Sequence, residues 1–336
     1  MVCLFMVLYF ICYCIKQKHT VGTLARSLGR FTIGSLLAGG LVMFLIVPVY
    51  ISLKDTSAAG GTLPEITNNF AVFDLLGRHL YNTTPTIRSG NLPNIYCGIL
   101  SVITLPVFAT TKTIGIRRRL AYLGLLAVFG LSLVINQIDL IWHGLHAPND
   151  LPYRFSFLYC FVLLLIAYQT IINLDKIKPK QALGSLAGAA GLIVLIEKFG
   201  GDDYNFYTIY VSLLLAVVYA AVIGLASLRK IEARPAYILL LIAVVAEMVF
   251  NAGWSFATIQ AKEYFTARSD YVANDITKAI DKAAKRTEEI GDRESGSEFY
   301  RIELLPRRTT VDTALFDYRG ITAFASSSPQ RLAKFM

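Results

Sequence analysis

Charge is scarce in this sequence. Only 16% of its 336 residues are Asp, Glu, Lys or Arg, against roughly 25% in soluble domains. The apolar share is 55%. This excludes an ordinary soluble domain and a disordered chain. Cysteine is scarce too. Cys3, Cys12, Cys14, Cys97 and Cys160 all sit in apolar runs, with no metal-type spacing to a histidine, which excludes a disulfide framework. Phosphate loops, dinucleotide fingerprints, nucleophile elbows and zinc-protease motifs are absent. So is a soluble basic module, and with it a nucleic-acid partner for the net charge of +9.

Long apolar runs, in contrast, are abundant, and the mean hydropathy is +0.53. A membrane-crossing helix needs roughly 20 apolar residues. Eight runs are candidates: 1–15, 31–53, 95–111, 120–138, 155–173, 182–196, 206–228 and 236–256. The first and sixth are short. The sixth extends to Phe199 if Glu197 and Lys198 snorkel. The first has no basic leader and no small-residue cleavage site, so it reads as a helix cut at its start and not as a signal peptide.

The loops between these runs alternate in charge. Loops 16–30, 112–119, 175–181 and 229–235 hold fourteen Lys and Arg; loops 54–94, 139–154 and 197–205 hold five. The positive-inside rule puts the rich set in the cytoplasm, and eight spans then leave both ends outside. Residues 1–257 hold nineteen Lys and Arg against eleven Asp and Glu. The positive excess therefore serves orientation and contact with anionic lipid. The expected fold is an all-α polytopic membrane protein. About eight transmembrane helices over residues 1–257 are followed by the start of an extracytoplasmic α+β domain over 258–336. In that tail, 269–292 has helical spacing of Val272, Ile276, Ala279, Ile280 and Ala283, and 299–305 and 320–325 read as strands.

The polar residues of interest gather in one outer loop, DLIWHGLHAPNDLPYR at 139–154. Arg154 suits a bidentate clamp on phosphate. His143 suits a hydrogen bond to phosphate or proton transfer. Trp142 or Tyr153 suits stacking on a sugar ring. The same residue types also make an ordinary interfacial belt. Asp139, His143 and His146 fall at i, i+4 and i+7, but Pro148 limits a helix and no fourth ligand follows. No metal is assigned, and a divalent ion stays open. Residues 91–96, NLPNIY, read as a proline turn with Asn capping a helix.

Glu247 is the one ionisable residue well inside an apolar run, with Asn251 one turn later. By default such a carboxylate marks function. The pair is expected to face the bundle interior and to bind a polar ligand or a neighbouring helix; a hydrogen-bonded structural Glu is the alternative. Gly184, Gly188 and Gly191, with Ser185, Ala187 and Ala189, form a small-residue face expected to pack against another helix, as do Gly39, Gly40 and Pro48.

Four blocks in order carry a family resemblance: NLPNIYCG at 91–98, WHGLHAPNDLPYRFSF at 142–157, EMVFNA at 247–252 and EFYRIE at 298–303. Together they resemble the YfhO family of bacterial multi-pass membrane proteins. The resemblance runs along the whole chain, and it implies a middle portion of a longer protein. It also implies a glycosyltransferase of the GT-C type in the bacterial plasma membrane. Such an enzyme moves a sugar from a polyprenyl-phosphate carrier to an envelope polymer such as lipoteichoic acid, on the outer face. The acidic catalytic residue of such enzymes would precede this chain, which alone is expected to be inactive. Arg154 and His143 are then expected at the carrier phosphate, and Trp142, Asn149 and Tyr153 near sugar or lipid. A transporter or flippase of lipid-linked sugar, or a non-catalytic accessory protein, is the alternative.

Overall fold

The computed structural model describes residues 1–17, 20–54, 65–86, 92–145, 152–200, 204–263, 275–294, 301–304 and 312–320. All eight apolar runs form helix. The first is α1 (Val2–Lys16). The second begins early and splits into α2 (Val21–Leu41) and α3 (Met43–Lys54), bent by 66° at the break. The short α4 (Val72–Gly77) precedes α5 (Ile99–Thr110), the third run. The fourth divides into α6 (Ile116–Val134) and α7 (Asn136–Trp142). The rest are α8 (Ser156–Ile171), α9 (Pro179–Phe199), α10 (Phe206–Ser227) and α11 (Ala233–Glu263).

Of these, α9, α10 and α11 are long and apolar enough to cross a membrane, and the bent α2–α3 pair makes a fourth; α1, α5 and α8 are apolar but shorter. Among the described residues the helix lengths thus support three or four of the eight expected crossings. The shortening has local causes. Residues 92–98 stay non-helical, so α5 starts late. α6 stops at Ile135, which bridges antiparallel to Asn68. Asn69 N–H donates to Val134 O (2.7 Å), and the Asn136 side chain donates to Glu65 O (2.7 Å) while accepting from Thr67 N (3.0 Å). The first bond satisfies a carbonyl that the broken helix leaves open, and the Asn136 bonds pin residues 65–67 across the break.

The chain divides into two compact units, residues 1–35 with 61–262 and residues 36–60 with 263–336. In the first, α5 lies against α8, α9 and α10, α9 against α10, and α6 against α1 and α8. One core is aromatic, built on Phe108, Phe129, Trp142, Phe155 and Tyr159. The other is aliphatic, joining Ile99, Ile103 and Val107 to Ala216, Tyr219, Ile223 and Ala236. Between helices in lipid, such packing contacts supply the attraction. α9 opens with Pro179, and Gln181 reaches back to Lys178 N–H (3.0 Å). α10 is capped by Asn205, which accepts from Thr208 N–H (3.0 Å). The small-residue face of α9 is only partly used. Ala182, Ser185 and Ala189 are buried, but a Cβ at Gly184, Gly188 or Gly191 would meet nothing within 4 Å, and the same holds at Gly39 and Gly40.

In the second unit, α12 (Asp275–Glu294) realises most of the amphipathic helix expected over 269–292. Its Ile280 and Ala284 pack against Phe316, Tyr318 and Ile302, beside the short α13 (Asp312–Leu315). The two tail strands are not seen among the described residues. Residues 301–304 and Gly320 are not strand, and the other residues of both expected strands lie outside the described residues. One backbone bond, Ile302 N–H to Arg319 O (2.9 Å), joins the two segments. Gly320 sits so close that a Cβ would lie 2.8 Å from Ile302 O.

Candidate functional site

One end of the first unit is organised by a buried arginine. Arg78, 3% exposed, follows α4 directly. Its Nε donates to Pro93 O (3.1 Å) and its Nη2 to Asn94 Oδ1 (3.1 Å) and Thr86 Oγ1 (3.4 Å). Asn94 also accepts from Thr86 N–H (2.9 Å) and donates to Thr86 O (2.9 Å). The NLPN segment is thus folded onto residues 78–86. Asn94 does not cap α5; Gly98 stands there, with φ of +96°, a conformation that favours glycine. Next to Arg78, buried His79 bonds Leu75 O through Nδ1 (3.0 Å) and Tyr159 Oη through Nε2 (2.8 Å). Burial lowers its pKa, against the two backbone carbonyls at Nδ1.

Glu247 lies deeper. It is 3% exposed and stands opposite the start of α5. Its Oε1 accepts from Ile99 N–H (2.8 Å) and from the Tyr96 hydroxyl, and its Oε2 accepts from the Tyr219 hydroxyl (2.5 Å). Ile99 is the first residue of α5. A carboxylate from α11 therefore caps a helix that begins inside the bundle, where the helix dipole favours negative charge. One turn on, Asn251 Oδ1 accepts from Asn82 N–H (3.2 Å). Asn82 has φ of 60°, which asparagine tolerates, and its buried Oδ1 has no partner among the described residues. The expected Glu247–Asn251 pair thus faces the interior and binds neighbouring segments.

The residues expected in the 139–154 loop separate. Trp142 is 4% exposed, and its ring packs against Phe129 (4.8 Å) and Phe155 (5.0 Å), which also touch each other (6.3 Å). The ring is a buried member of the aromatic core. His143 ends α7, its Nε2 3.4 Å from Asp139 Oδ1. That is ion-pair distance without hydrogen-bond alignment, and neither atom has a hydrogen-bond partner among the described residues. No third His, Cys, Asp or Glu completes a metal-binding group with them there. Asn149 and His146 lie outside the described residues. Tyr153 is buried with φ of 60° and packs edge-on to Phe70 (5.5 Å). Burial, and then the Asp139 charge, push its pKa up to about 12. Arg154 is exposed.

Two cavities open at this end. One, of about 270 Å³, is lined by Tyr153, Arg154, Ser156, Pro93, Asn94 and Thr86. The other, of about 230 Å³, is lined by Asn94, Tyr96, Thr83, Asn251 and Ser255. Asn94 borders both, and the Arg78 guanidinium holds it there. The structure thus joins Tyr153 and Arg154 to the NLPNIY segment, and joins Asn251 to the same wall. Sequence reasoning missed Arg78, His79, Tyr96 and Tyr219. Arg78 resembles any loop charge, and the tyrosines match a membrane belt. The only signal was the Glu247 carboxylate, which required donors from somewhere.

A family model described as bacterial membrane protein YfhO matches residues 1–336, the whole chain. No curated protein and no solved structure matches it.

Proposed function

The chain belongs to the YfhO family of bacterial membrane proteins, and from that premise we propose that it forms part of a membrane glycosyltransferase. The donor is a sugar on a polyprenyl-phosphate carrier, and the acceptor is an envelope polymer such as lipoteichoic acid. In this reading residues 1–257 thread the plasma membrane eight times, with both ends outside, and 258–336 begin an extracytoplasmic domain.

The observation that carries the reading is the pair of adjoining cavities bordered by Asn94. The one beside Arg154 and Tyr153 suits the carrier phosphate. Arg154 supplies a planar cationic fork for an anion. The Tyr153 hydroxyl stays protonated at neutral pH, as its raised pKa requires, and so donates. The smaller cavity, with its amides and hydroxyls, suits a single sugar ring; it is below the range of drug-sized pockets. His143, beside Asp139, stands at the same loop as a second donor, and Asn149 belongs to it in sequence. Trp142 supports the loop from within the aromatic core.

In the transfer, an acceptor hydroxyl forms a bond to the anomeric carbon while the bond from that carbon to phosphate oxygen breaks. The electron pair leaves on the carrier phosphate, where Arg154 stabilises it in a partly dry site. The acceptor proton passes to a base to which no residue is assigned. Against a transporter, the Glu247 carboxylate is already occupied by three donors. The test uses the protein in membranes with labelled polyprenyl-phosphate sugar. Arg154→Ala is expected to lower transfer about 10²-fold, the loss typical of one transition-state donor. Unchanged transfer in Arg154→Ala, Tyr153→Phe and His143→Ala together refutes the assignment.

A further inference from the structure

A second site lies at the other end of the first unit. The 19 residues of α6 separate the two ends by about 28 Å, close to one hydrocarbon thickness. There an apolar groove of about 550 Å³ runs along α1 and α2, lined by Phe10, Ile11, Ile15 and Leu24. It meets a basic cavity of about 460 Å³ lined by Lys16, Arg117 and Arg118. Gln17 and Arg117 border both.

Charge at this place is one-sided. Neither cavity is lined by Asp or Glu. None of the ion pairs among the described residues involves Lys16, Arg117 or Arg118. The first turn of α6 carries no acidic residue, so its dipole adds to the field of the two arginines. Phe10, which lines the groove, stacks on Phe31 of α2 (4.4 Å). A cationic pocket opening into an apolar groove at membrane depth has the two chemistries of a phospholipid.

We propose that this is a binding site for one anionic phospholipid, with its headgroup phosphate among Lys16, Arg117 and Arg118 and an acyl chain along Phe10, Ile11 and Leu24. Charge complementarity selects the headgroup. The continuous apolar floor selects a lipid over a free phosphate. The site stands apart from the proposed transfer reaction and does not depend on it.

The test places the full-length protein in phosphatidylcholine nanodiscs doped with phosphatidylglycerol, and counts retained phosphatidylglycerol by native mass spectrometry. Arg117→Gln with Arg118→Gln is expected to weaken retention about 30-fold, from the usual worth of two basic residues near an anionic surface. Lys178→Gln with Lys180→Gln removes equal charge from another basic loop and is expected to leave retention unchanged. Ile11→Trp fills the groove without altering charge and is expected to lower retention as well. Arg117→Lys with Arg118→Lys keeps the charge and is expected to retain the lipid, which separates binding from misfolding. Equal losses in the two Gln pairs would show bulk attraction only and overturn the site. Displacement of the lipid by inorganic phosphate, or full retention in Ile11→Trp, would overturn it equally.

Discussion

Removing the Glu247 carboxylate opens the start of α5. In Glu247→Ala, the Tyr96 and Tyr219 hydroxyls and the Ile99 N–H all lose their acceptor in a buried setting. A hydrogen bond to a charged group contributes about 1.5–3 kcal/mol, and the contributions do not sum independently. Deleting one partner of a buried charged cluster costs about 3–5 kcal/mol. Glu247→Gln keeps one carbonyl for Ile99 N–H and one tyrosine, and its amide can donate to the other tyrosine, which then accepts. The loss there is mainly that of charge against the α5 dipole, about 1–2 kcal/mol. In a domain of this size about 1 kcal/mol moves Tm by about 2–4 °C. Glu247→Ala is thus expected to unfold about 6–20 °C lower and Glu247→Gln about 2–8 °C lower. Thermal unfolding of the purified protein in detergent, followed by intrinsic fluorescence, reads both. Tyr219→Phe combined with Glu247→Ala should cost less than the two single changes added together. Equal, near-zero shifts for Ala and Gln would refute the capping role. Lost function in Glu247→Gln at full stability would refute it in favour of chemistry.

Arg78→Lys should fail to replace arginine, because one ammonium cannot span Pro93 O, Asn94 Oδ1 and Thr86 Oγ1. A stability loss of about 1–3 kcal/mol is expected in the same fluorescence melt. His79 gives a pH dependence. Its folded pKa lies below the unfolded value of about 6.5, so the unfolded chain binds the proton first. Stability is full above that value and falls as pH drops below it. Melts between pH 7.5 and 5 should show the fall, and His79→Gln should flatten it. Trp142→Ala should cost about 3–5 kcal/mol by leaving a cavity beside Phe129 and Phe155. Trp142→Phe should keep most of the stability, and sugar transfer assays on it should read near the parent.

The helices were legible because each apolar run is long and uninterrupted, and lipid leaves such a run little alternative to helix. The breaks were less so. Nothing in the run around Ile135 announces an end until Asn69 and Asn136 bring in residues 65–69. Glu247 stood out as the one ionisable residue well inside an apolar run. Its donors did not, since Tyr96 and Tyr219 come from segments far apart in sequence. Trp142 illustrates the opposite error. An aromatic residue beside a polar loop matches an interfacial belt in composition, yet its position at the end of α7 turns the ring into the core. Tyr153 and Arg154 kept their place at a cavity, because a loop between two helices holds them at the bundle end.

Cysteine accessibility in intact cells tests the account most directly. In a background with the five native cysteines replaced, Arg154→Cys should react with a membrane-impermeant thiol reagent added outside, and Lys112→Cys should react only after permeabilisation. Labelling of position 112 from outside, with position 154 protected until the cells are opened, would invert the topology and contradict an outward-facing site.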